Sequence, residues 1–119
     1  MGETHKENIR ASKLIVRVPS YISERQESTI TIVAVDSEGQ IDRTRNDEIE
    51  LIMTPMYNID DPKVEIDTSG VKLVNGEATV RIVNEESDFV KITASCKDKD
   101  AGLEPYTVLL ATGGYPFGR

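Results

Sequence analysis

The chain has 119 residues, 38% hydrophobic and 29% charged, which is the composition of one globular domain and excludes a disordered polymer. Its formal net charge is −7, and its 14 Lys and Arg are scattered, so no basic stripe exists for a phosphate backbone or an anionic bilayer. One cysteine, Cys96, excludes an internal disulfide framework and leaves stability to burial.

Residues 1–10 are polar and unpatterned and read as a flexible N-terminal tail. They contain no apolar segment of a secretory leader, and no run in the chain reaches membrane-spanning length. His5, the one histidine, has no Cys, His or acidic group at ligand spacing and is read as a solvated tail residue. Leu14, Val16 and Val18 then alternate with Ile15 and Arg17, which predicts an edge strand ended by Pro19, a residue that cannot donate to a ladder. A short connection follows, with Tyr21 and Ile22 placed to tuck against the end of the domain. From Ser28, the residues Ile30, Ile32 and Ala34 recur at period two, predicting a central strand that closes in the polar turn Asp36-Ser37-Glu38-Gly39. Val33 and Val35 make its other face apolar as well, so a loop or the N-terminal segment is expected to cover them.

Residues 36–47 read as a surface loop around Ile41. Ile49, Leu51 and Met53 alternate up to Pro55, residues 57–62 carry turn chemistry, and Val64 with Ile66 marks a short strand. Asn75-Gly76 between two apolar runs is the strongest local hairpin signal, because a type I′ turn requires positive φ at both central residues. The register predicted from it sets Val74 opposite Glu77, Leu73 opposite Ala78 and Val71 opposite Val80. Residues 89–96 form the next strand, with Val90, Ile92 and Ala94 inward, and residues 97–105 a charged loop. Tyr106, Val108 and Leu110 face inward on the last strand, and residues 113–119 read as a flexible tail.

About seven strands at intervals of roughly 8–12 residues, with no helical periodicity, predict an all-β, Ig-like two-sheet antiparallel sandwich over residues 11–112. The runs Thr29-Ile30-Thr31-Ile32-Val33-Ala34-Val35-Asp36-Ser37-Glu38-Gly39, Asn75-Gly76-Glu77-Ala78-Thr79-Val80-Arg81-Ile82 and Phe89-Val90-Lys91-Ile92-Thr93-Ala94-Ser95 resemble the group 1 bacterial Ig-like repeat of the invasin and intimin type. The resemblance implies a spacer or adhesion module of an extracellular or cell-surface protein. The chain departs from that repeat in a longer, more acidic segment at residues 57–62, and in standing alone where that family forms tandem arrays.

Little in the chain is suited to catalysis. There is no Gly-rich phosphate loop and no Gly-x-Ser-x-Gly elbow, and a histidine confined to the tail gives a Ser or Cys nucleophile no base. Asp60-Asp61 and Glu85-Glu86 read as solvated turn residues, and Cys96 as a small buried hydrophobe. Met53 and Met56 beside Tyr57 are read as core filling, not as copper ligands. Asp98, Asp100 and Glu104 flank Gly102 and supply three oxygen donors in one loop, the one calcium candidate, without the ligand spacing of an EF-hand. The expected chain is therefore non-enzymatic, with no catalytic residues, metal site or cofactor assigned. It meets a protein partner or neighbouring domains as a monomer or weak homodimer, and does not bind nucleic acid or insert in membranes. The alternative is a carbohydrate or calcium-dependent binding module appended to an enzyme.

Overall fold

The computed structural model describes residues 9–19, 22–23, 25–56, 59–60, 64–85 and 88–113. His5, Tyr21, Tyr57, Asp61, Glu86 and both outermost tails therefore lie outside the described residues. The strands are β1 (Lys13–Arg17), β2 (Ile22–Ser23), β3 (Gln26–Val35), β4 (Ile49–Pro55), β5 (Val64–Ile66), β6 (Glu77–Asn84), β7 (Asp88–Cys96) and β8 (Tyr106–Gly113).

They form two sheets in the orders β1-β3-β6-β5 and β2-β8-β7-β4. All pairings are antiparallel except that of β2 with β8, where Ile22 lies beside Thr112. With β2 read as the second half of a split first strand, this is the constant-type immunoglobulin layout of an all-β sandwich. Pro19 explains the split: it ends β1, and the chain crosses to the other sheet as β2.

Period-two alternation sends one face of each strand into a shared core. Leu14, Ile30, Ile32, Ile82, Ile92 and Leu110 are all at most 1% exposed there. Complete burial of one such side chain contributes about 1.5–3 kcal/mol, so the core carries the stability that a chain without disulfides needs. Val33 and Val35 are also fully buried, although they lie outside that core cluster. The loop after β3 runs back beside the end of that strand: Ile41 bridges to Val35, and the Asp42 N–H donates to the Ala34 carbonyl at 2.9 Å.

The hairpin expected at Asn75-Gly76 forms only at its tip. Asn75 and Gly76 have φ of 54° and 84°, and Val74 and Glu77 exchange backbone hydrogen bonds of 2.8 and 3.2 Å. Beyond Val74 the predicted pairing of Leu73 with Ala78 and of Val71 with Val80 is replaced. Ala78 pairs with Ile32 of β3 on one side, and the first arm swings across to the other sheet. There the Leu73 N–H donates to Asp47 and the Ile49 N–H donates to Val71, both at 2.9 Å. Burial allows the change. Val71 and Leu73 reach the core from this bridging position as well as from a hairpin, and there their backbones also bond to Ile49 and Asp47 of the other sheet's side.

Gly76 is pinned by this geometry. A Cβ there would stand 2.4 Å from the Asp42 carbonyl oxygen and 2.9 Å from Ile41 Cγ2. Gly39 has a similar φ of 86° but nothing within 4 Å of the same position. Gly76→Ala is therefore expected to lower unfolding free energy by at least about 2 kcal/mol. Gly39→Ala is expected to lose about 1 kcal/mol, for its backbone conformation alone. Urea denaturation of the two variants measures the difference.

Candidate functional site

The loop at residues 36–47 was expected on the surface, but its middle is an anchor. Asp42 is 4% exposed at one end of the sandwich. Its Oδ2 accepts from the Ala11 N–H at 2.9 Å, and its Oδ1 accepts from the Thr44 N–H at 3.0 Å and the Thr44 hydroxyl at 2.6 Å. Burial pushes the Asp42 carboxyl up, but the Thr44 and Ala11 hydrogen bonds and the nearby Arg45 outweigh it, so the group sits below its ordinary value of 3.8. Arg45 then grips Asp47 with two parallel bonds of 2.9 and 3.0 Å and donates a third, at 2.9 Å, to the Ala101 carbonyl. The Asp47 bonds, and secondarily its charge, raise the Arg45 guanidinium above its usual value against the effect of burial. The cluster thus joins the start of β1, the loop after β3 and the loop after β7 in one charged knot. The local signal was present in the sequence as Asp42-Arg43-Thr44, an Asp capping its own backbone two residues on.

The calcium candidates do not converge. Asp98 uses its carboxylate to cap the Asp100 N–H at 2.9 Å, and Glu104 is held by backbone bonds to Ser12 and Leu14 of the β1 region. Among the described residues, no group of three or more His, Cys, Asp or Glu side chains is arranged to hold a metal. Cys96 is buried, and burial first, then the Asp47 and Asp98 charges, push its thiol up despite Arg45, so it is a poor nucleophile. Met53 packs against the core, while Met56 is exposed.

Two surface features stand apart from the knot. Because the chain bows away from β6 between Asp67 and Val74, a groove of about 500 Å³ opens beside that strand, lined among others by Asp67, Ser69, Lys72, Glu77, Thr79 and Arg81. Arg81 is bonded to Glu27 across the sheet, an exposed pair that adds little stability. The second feature is the outer face of the second sheet, where Ile52 and Leu109 are half exposed or more, in rows with Thr93, Thr107 and Lys91.

No protein-family model matches the chain, and no curated protein sequence matches it. Solved structures do match in fold. A glycosyl hydrolase family 2 member from Bacteroides cellulosilyticus superposes with a TM-score of 0.67 at 14% identity, over 87% of this chain and 14% of that one. A β-glucuronidase from Parabacteroides merdae gives 0.62 at 16% identity, over 85% and 12%. Domains 4 and 5 of the S-layer protein SbsC give 0.53 at 16% identity, over 90% and 54%. The chain therefore spans about one seventh and one eighth of the two hydrolases and about half of the S-layer fragment, and in each case the likeness is that of one β-sandwich domain.

Acid should report on the knot. The unfolded chain takes up the Asp42 proton first, since the folded value lies below 3.8. The stability that Asp42 supplies is complete above that pH and lost as pH falls through the lower folded value. Asp42→Asn, which leaves the Ala11 N–H facing an amide or no acceptor, is expected to lose about 1–3 kcal/mol at pH 7. The variant should also show a flatter decline between pH 4 and pH 2 than the parent in thermal melts.

Proposed function

We propose that this chain is a non-enzymatic Ig-like module that spaces or displays other parts of an extracellular or cell-surface protein. The observation that carries this reading is the scale of the structural likeness. Nearly all of the described chain superposes on a single β-sandwich domain inside much longer hydrolases and an S-layer protein. The sequence motifs shared with group 1 bacterial Ig-like repeats support the same role, as does the use of the charged residues at the sandwich end for internal bonding. Partners on this reading are adjoining domains and other proteins, met through sheet edges and faces.

The second reading is a small-ligand module appended to a carbohydrate-active enzyme, and the hydrolase neighbours favour it. The groove beside β6 is its candidate site. The groove's lining offers hydroxyls and charges of both signs but no aromatic ring for a sugar to stack on.

Thermal melts of the purified chain separate the two. With millimolar calcium, with chelator, and with cellobiose or glucuronic acid, the midpoint is expected to stay within about 1 °C, because a ligand that binds only the folded state raises it. A rise of several degrees with calcium or either sugar replaces the spacer reading with the ligand-binding one.

A further inference from the structure

We infer that the open edge of β4 is an association surface for a second copy of this chain, paired antiparallel about Met53. Strand β4 is the last strand of its sheet, hydrogen-bonded on one side to β7. On its other side the first residues are already covered. The Ile49 N–H donates to Val71, and Glu48 bridges to Lys72. Among the described residues no strand or bridge pairs with that edge beyond Ile49. Backbone groups alternate sides along a strand, so Leu51 and Met53, like Ile49, turn their N–H and C=O groups outward.

These limits select the register. A partner strand has to lie alongside residues 50–56, because Val71 and Lys72 occupy the position below, and the centre of that window is Met53. Pairing about a two-fold axis there lets the two Met53 residues exchange two hydrogen bonds. Each Leu51 N–H meets the carbonyl of Pro55 of the second copy. Pro55 lacks an N–H, and this is a position at which its carbonyl alone serves. Charge permits the same arrangement: Glu50 falls opposite Met56 of the second copy, not opposite another Glu50, and β4 holds no Lys. Native edges are commonly blunted by lysine or inward-pointing charge, and β4 turns Ile49, Leu51 and Met53 inward instead. On the outer face Ile52, 50% exposed, packs between Thr93 of its own sheet and Thr54 of the second copy. The product is one continuous sheet of twice the strands.

Sedimentation velocity of the full chain from about 10 μM to about 1 mM tests this, with two variants of half-exposed or more exposed outer-face residues. Ile52→Lys places a cation at the edge and is expected to weaken dimerisation at least about tenfold. Leu109→Lys, two strands in from the edge, is expected to leave dimerisation unchanged, and both should melt within about 3 °C of the parent. Amide exchange at Leu51 and Met53 is expected to slow as concentration rises. A chain that stays monomeric at about 1 mM overturns the proposal. So does a dimer that survives Ile52→Lys, or one lost with Leu109→Lys, which would indicate stacking of faces in place of edge pairing.

Discussion

The bonding of Asp42 is the constraint on which the rest of the architecture leans. A carboxylate taken out of water is costly unless each oxygen finds a donor, and here both do, from backbone and hydroxyl groups of Ala11 and Thr44. Because those donors come from the start of β1 and from the loop after β3, the loop has to fold back across the sheet end. Its return brings Ile41 and the Asp42 backbone against Gly76, where a side chain has no room, and it sets Arg45 within reach of both Asp47 and Ala101. One buried charge thereby organises the turn at Asn75-Gly76, the start of the first strand and the loop after β7.

Burial and alternation account for the parts of this fold that were readable in advance. Strand positions with period two, such as Ile30, Ile32 and Ala34 or Val90, Ile92 and Ala94, point to the core because the pleat leaves them no other side. The positive φ at Asn75 and Gly76 followed for an equally local reason. What was not readable is non-local. Val71 and Leu73 satisfy the same apolar pattern in a hairpin or in a bridge between sheets, and what distinguishes the two is their backbone bonding to Ile49 and Asp47, distant in sequence. The two-residue strand β2 has too few residues to show a period, so it was invisible.

The polar sites show the same division. Asp42, Arg45 and Asp47 lay in a stretch whose composition reads as a surface loop, and their importance depends on Ala11 and Ala101, distant in sequence. Asp98, Asp100 and Glu104, close in sequence and chemically suited to a hard cation, were separated by the turn that Asp98 caps and by the pairing of Glu104 with the β1 region. Proximity along the chain thus overstated one cluster and concealed another. In a sandwich the two ends gather loops from opposite sheets, and no short spacing encodes which loops meet there.

The split first strand also decides how the module responds to force. Both halves lie parallel to the last strand: Lys13 is bridged to Glu104, and Ile22 and Ser23 are paired with Thr112 and Gly113. Ala11 and Gly113 therefore lie toward opposite poles of the sandwich. Tension applied through them pulls these strands past each other along their length, so the bridging bonds are loaded together in shear, not opened one at a time. A sandwich wired in this way transmits tension along its long axis, and the contacts that resist it include those that fasten β1 to β3 and to Glu104, and β2 to the end of β8.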